Sequence, residues 1–314
     1  MTELAVSIAI CTFNRSHLLR GALDSVLDQS VCPLSFEILV IDNGSSDDTR
    51  CVVDDYRDRH PGIRYCLEPQ PGIAHARNRA AKEAWGVYLA FLDDDARAER
   101  NWLASLLEAV STVTPQPACV VGPVLLEWEG GRPSWFPSKL EPLLCSYDLG
   151  SEGHFMGPDG YLLTTNVLMR RAVLLDLGGF CTYLGRERGK LIGGEDNDMY
   201  QRIVGAGYGI YYTPLARVHH GVPRERQSRG YLLRRVYWDG ASQPLLDFGT
   251  KQSRRFYAFQ VFRELRRISR LAVEFIAAIA RNRQEERADC SLALVQRMGR
   301  LRTNLNLVVK RNND

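Results

Sequence analysis

Three adjacent carboxylates, Asp93, Asp94 and Asp95, close the apolar run 87–92 in the stretch VYLAFLDDDA. Two carboxylates one residue apart at a strand end can hold a hard divalent cation, Mn2+ or Mg2+. Such an ion takes oxygen ligands and completes its shell with water and substrate phosphates. The same acids can also be read as a cap on the following run NWLASLLEAV, because anions favour the start of a helix. A fourth carboxylate, Asp42, ends the run FEILVID and is followed by Asn43-Gly44. It can accept from a base N–H or a ribose hydroxyl, or close an Asx turn. Neither GxGxxG nor GxxxxGK[ST] occurs in the chain, so phosphate charge falls mainly to a metal.

These residues need a scaffold that brings them to one edge. Strand-length runs rich in Val and Ile lie at 5–11, 36–41, 63–67 and 87–92, and segments of helical spacing at 18–27, 49–57 and 73–85 separate them. Such alternation predicts an α/β fold with a mostly parallel central sheet covered by helices on both faces. Ligands in such folds bind beyond the carboxyl ends of the strands, where Asp42 and the acidic triplet are placed. After a fifth run at 118–124 comes a Trp-, Pro- and Gly-rich loop to about residue 160. YLLTTNVLMRRAVLLDLGGF, a helix over 195–206 and the strand YGIYY follow.

Composition sets the class. The 314 residues are 45% hydrophobic and 25% charged, which is ordinary for a soluble globular protein. The first residues show no basic leader, and no apolar run approaches the roughly 20 residues of a membrane span. A cytoplasmic location is therefore expected, with contact at the inner face of the membrane as a further option. The eight cysteines, 11, 32, 51, 66, 119, 145, 181 and 290, lack zinc-ligand spacing and are read as reduced thiols. Residues 1–223 hold 20 Lys and Arg against 28 Asp and Glu, or −8, while residues 224–314 hold 20 against 9, or +11. Over 256–281 apolar residues recur at helical spacing opposite a mainly basic face. This amphipathic helix suits either packing on protein, including a second copy, or an anionic membrane surface.

Six stretches in fixed order, VSIAICTFNR, LVIDNGSSDDT, PGIAHARNRA, YLAFLDDDA, TTNVLMRRAVLLDLGGF and GGEDNDMYQRIVGAGYGIYYTPLARVHH, resemble the inverting glycosyltransferases of family 2, which have the GT-A fold. The resemblance covers about residues 5–245. It implies a catalytic domain over 1–245 and a basic helical extension over 246–314. Thr12, Asn14, Arg15 and Asp42 would line the nucleotide pocket, with Arg77, Asn78, Asp93 and Asp94 near the donor. Asp95 and His220, rather than His219, would hold the metal. Asp196 would be the general base with Glu195 beside it, and Arg235 and Trp238 would lie on the acceptor side. Each has a plainer alternative: helix-start acids for Glu195 and Asp196, a solvated charge for Arg77, a structural histidine for His220.

The implied reaction moves one sugar from a nucleotide-diphosphate sugar, with uridine the commonest base, to a saccharide, lipid-linked or small-molecule acceptor. No nucleic-acid partner is expected. Processive relatives carry QxxRW and transmembrane helices, and neither is present here. Two other readings compete. A sugar nucleotidyltransferase needs a Gly-rich basic N-terminal loop, which CTFNRSHL is not. A binding or scaffold protein on the same sheet would have no need of Asp95 and Asp196.

Overall fold

The computed structural model describes residues 6–30, 36–187, 189–248 and 253–310. Strands and helices alternate through β1 (Val6–Thr12), α1 (Ser16–Leu27), β2 (Phe36–Asp42), α2 (Thr49–Arg57), β3 (Ile63–Leu67), α3 (Ile73–Glu83) and β4 (Tyr88–Asp93). Next come β5 (Ala96–Ala98), α4 (Trp102–Thr112), β6 (Cys119–Val121), β7 (Val124–Trp128), β8 (His154–Phe155), β9 (Asn166–Arg170) and α5 (Arg171–Asp176). The chain continues through α6 (Glu195–Gly205), β10 (Ile210–Tyr212), β11 (Val218–Val222), α7 (Arg229–Phe248), α8 (Arg254–Ala280) and α9 (Gln284–Lys310).

Eight strands form one sheet in the order β3-β2-β1-β4-β9-β6-β10-β8. β1 runs parallel to β2 and β4, β2 to β3, and β10 to β6. β9 is antiparallel to both its neighbours, so its first residue reaches the edge where β1, β2 and β4 end. A small second sheet, β5-β11-β7, lies at that edge of the fold.

The inner strands of the large sheet are mainly apolar because both faces are covered. Ile8 and Ile10 of β1 point into a cluster with Leu19, Leu23, Val52 and Leu106 of α1, α2 and α4. Ala9 and Cys11 point the other way, toward the alanines of α3 and toward Met199 and Tyr200 of α6. The period of two along each strand thus divides one run of sequence between two cores.

The chain divides into two compact units, Met1–Thr182 with Glu195–Arg224, and Tyr183–Gly194 with Glu225–Asp314. The boundary expected at residue 245 falls inside α7. In the second unit α7 and α8 both pack on α9. A Cβ on Gly240 would lie 2.0 Å from the Gln296 carbonyl oxygen and one on Gly299 2.1 Å from that of Tyr237, so only glycine permits this helix crossing. The buried Glu264 of α8 is held by Arg297 of α9 at 3.2 Å. α8 matches the helix read at 256–281, whereas α9 is an element that the mixed spacing of its residues did not reveal. Seven cysteines are free thiols among the described residues, and Cys32 lies outside them.

Candidate active site

The parallel register sets Cys11 beside Asp93 and Thr12 beside Asp42, so the ends of three strands meet at one edge. The triplet then separates onto different partners. The Asp93 carboxylate accepts from the Thr165 hydroxyl at 2.6 Å, and Asp94, buried, accepts from the Thr12 hydroxyl at 2.7 Å and from Arg15 Nη1 at 2.9 Å. Asp95 accepts from the same Arg15 nitrogen at 3.1 Å. Burial pushes the Asp94 carboxyl up to about 6; the Arg15 guanidinium pulls it back and Asp95 pushes it further.

The partner of Asp95 comes from the small sheet. β11 pairs antiparallel with β5, placing His220 opposite Ala96, and the Gly221 N–H donates to the Asp95 carbonyl oxygen at 2.9 Å. Successive side chains on a strand point to opposite faces. His220 is therefore buried with Nε2 3.1 Å from the Asp95 carboxylate, while His219 turns outward to Glu99 at 3.1 Å. Asp93, Asp95 and His220 each offer one ligand atom within 4.8 Å of the others. His220 Nδ1 is buried with no hydrogen-bond partner among the described residues. A carboxylate, carboxylate and imidazole set of this size fits a divalent cation such as Mn2+ or Mg2+.

A second group of charges lies beside the first. Arg77 of α3 is 6% exposed, and its guanidinium reaches Glu195 at 2.8 Å, Asp196 at 3.2 Å and Asp93 at 3.8 Å. It is not a solvated charge, since it balances three carboxylates out of bulk water. Asp196 also accepts from the Thr164 backbone N–H at 3.2 Å and hydroxyl at 2.9 Å. Burial raises its carboxyl above the usual range; Arg77 opposes this and the neighbouring Glu195 adds to it. Glu195 Oε2 is buried without a hydrogen-bond partner among the described residues. Both acids open α6, so the helix-start reading holds alongside any chemical one.

The remaining expected residues are placed as follows. Asn14 has a positive φ of 52° and its side-chain oxygen accepts from the Ser46 N–H at 2.7 Å. Asp42 accepts from the N–H of Ser45, three residues on, at 2.8 Å and from the Tyr65 hydroxyl at 2.8 Å. Asn78 bonds the Phe180 backbone through both ends of its amide, at 2.8 and 2.7 Å. Arg235 and Trp238 belong to the second unit, where Arg235 donates to the Leu191 carbonyl at 3.1 Å and Trp238 packs edge-on against Tyr237.

Residues 164–166, Thr-Thr-Asn, open one of the six stretches but were given no site role from the sequence. Thr164 holds Asp196 and Thr165 holds Asp93, while the Asn166 amide donates to the Pro123 and Ala216 carbonyls and accepts from Trp102. Besides their place in that stretch, their signal was three polar residues inside an otherwise apolar run, all three buried in the fold.

Comparison with known proteins gives this arrangement a family. Among solved structures, the mannosyltransferase PcManGT from Pyrobaculum calidifontis, in complex with GDP-Man and Mn2+, is similar with a TM-score of 0.61 at 20% identity, covering 98% of this chain and 86% of that one. That likeness shows the fold, which is GT-A. The glucosyl-dolichyl phosphate glucuronosyltransferase of Haloferax volcanii is 28% identical over 247 residues, 78% of each chain. The succinoglycan biosynthesis protein ExoM of Rhizobium meliloti is 32% identical over 240 residues, 76% of this chain and 73% of that one. Residues 7–173, more than half of the chain, match the family described as Glycosyl transferase family 2. On that match and the identity with ExoM, the chain belongs to glycosyl transferase family 2 and is a glycosyltransferase.

Proposed function

We propose that the protein transfers one sugar, with inversion, from a nucleotide-diphosphate sugar to an acceptor hydroxyl, with Asp196 as general base. The observation that carries this reading is the meeting of two charge groups at one sheet edge: Asp93, Asp95 and His220 on one side, and Asp196 under Arg77 and Thr164 on the other. When bound, a divalent cation held by Asp95 and His220, with Asp93 beside them, would offset the charge of the departing diphosphate. Thr12, Asn14, Arg15 and Asp42 form the nucleotide side, and Asp93 and Asp94 the donor-sugar side. Asp196 takes the proton of the acceptor hydroxyl as that oxygen attacks the anomeric carbon, and Arg77 and Thr164 hold its carboxylate in line. Glu195 adds local charge and orientation.

Support for a nucleotide-diphosphate donor and a divalent cation comes from PcManGT, solved with GDP-Man and Mn2+. The uridine base, Asn78 at the donor and Arg235 and Trp238 at the acceptor rest on the family resemblance. The Haloferax relative is named for glucosyl-dolichyl phosphate, which makes a saccharide on a lipid phosphate the first acceptor class to test. In this reading residues 1–245 work as the catalytic domain in the cytoplasm and residues 246–314 as its basic extension.

The test is Asp196→Asn, which keeps shape and helix-capping ability but removes basicity. Sugar transfer should fall by about 10²–10⁴-fold while donor affinity, measured by calorimetry, changes little. Transfer within about threefold of the parent protein, with donor bound normally, would move the base assignment to Glu195 or Asp198.

A further inference from the structure

Helix α8 carries a face that the described residues leave uncovered. Along its 27 residues, Phe259, Phe262, Leu265, Val273, Ile276 and Ile279 are 48 to 67% exposed. At 3.6 residues per turn these six fall on one side of the helix. The opposite side is the packed one, where Tyr257, Glu264 and Ala278 are buried and Glu264 meets Arg297 of α9. A helix of a globular protein normally turns its apolar stripe inward. Here the stripe faces solvent while a buried ion pair faces the partner helix. Single exposed hydrophobic residues are ordinary, but a continuous row of large ones marks a contact surface.

Charge decides what that surface meets. Residues 254–280 hold six arginines against two acids, Glu264 and Glu274. Glu264 is taken up by Arg267 and Arg297, and Glu274 by Arg270 at 2.9 Å. Arg263, Arg266 and Arg270 border the apolar side. The guanidinium of Arg263 lies 5.9 Å from the Phe259 ring centre and that of Arg266 5.8 Å from that of Phe262, so their stems line the apolar surface. Two copies meeting through this face would each bring the +11 of residues 224–314. An anionic bilayer neutralises that charge instead of doubling it. No helix among the described residues is long and apolar enough to cross a membrane, so the geometry is that of a helix lying in the interface.

We propose that α8 docks the protein on an anionic lipid bilayer, its stripe in the boundary between headgroups and acyl chains and Arg263, Arg266 and Arg270 at the lipid phosphates. The proposal stands on the exposed face and its charge, apart from the assignment of the active site.

The experiment is co-sedimentation of the full chain with vesicles of phosphatidylcholine alone or of equal parts phosphatidylcholine and phosphatidylglycerol. The protein should pellet with the mixed vesicles at low salt and be released as salt screens the charges. Phe262→Glu with Ile276→Glu changes two exposed side chains, so circular dichroism should match the parent and transfer to a soluble acceptor should be unchanged. Its vesicle-bound fraction should drop by about tenfold or more. Absence of binding by the parent protein, binding that the double variant retains, or a parent dimer that the double variant dissolves in light scattering would each overturn the proposal.

Discussion

Arg77 shows how a residue acquires its part from the fold rather than from its neighbours in sequence. In ARNRA it is one arginine on an alanine-rich helix, and only the closeness of β4 and α6 puts it among Asp93, Glu195 and Asp196. The small side chains of α3 pack on the sheet, and Arg77 on the same helix is left almost wholly buried. The carboxyl it steadies has a measurable signature. Burial, opposed by Arg77 and reinforced by Glu195, raises Asp196 to about 7. A base works only when ionised, so sugar transfer should fall as pH drops through about 7, by about tenfold per unit below it. Initial rates from pH 5 to 9 check this, and a rate unchanged down to pH 5 would exclude Asp196 as the titrating base. Adjacency made the Asp93–Asp95 cluster legible in sequence, whereas Thr164 and Thr165 look like ordinary strand residues until their carboxylate partners arrive from 32 and 72 positions away.

At the scale of elements, the alternation of β11 separates two histidines that the sequence presents as equals. β5 and β11 are short, three and five residues, yet their register fixes His220 against Asp95 and sends His219 to Glu99. Calorimetry of nucleotide binding with Mn2+ tests the consequence. Asp95→Ala and His220→Ala should each lose metal-dependent affinity by about tenfold or more, while His219→Ala should bind like the parent. Equal losses in the two histidine variants would show that the strand does not select between them. The first four strands and three helices were legible because their apolar periods are clean and their connections short. The direction of β9 was not, since a strand buried on both faces carries the same run of apolar residues whichever way it points. α9 stayed hidden for a related reason: its partners α7 and α8 cover it on two sides, so no single stripe of apolar residues marks it.

For the whole molecule, the division of charge between −8 and +11 was plain from counting, while the place where the chain divides was not. Residues 183–194 join the second unit although residues on both sides belong to the first, and only three-dimensional contact reveals that excursion. Transfer of one sugar per encounter belongs to the proposed function and is tested on the products. With donor in excess, mass spectrometry of the products should show acceptor plus one sugar; a ladder of longer products would contradict this. The Thr164-Thr165 pair bears on how such a protein changes over generations. Because one threonine holds Asp196 of α6 and the next holds Asp93 of β4, the spacing of these two carboxylates is tied to a single peptide unit. The loop over 129–160 takes no part in that anchoring. Changes in the loop can therefore accumulate over generations without cutting either of these two anchors.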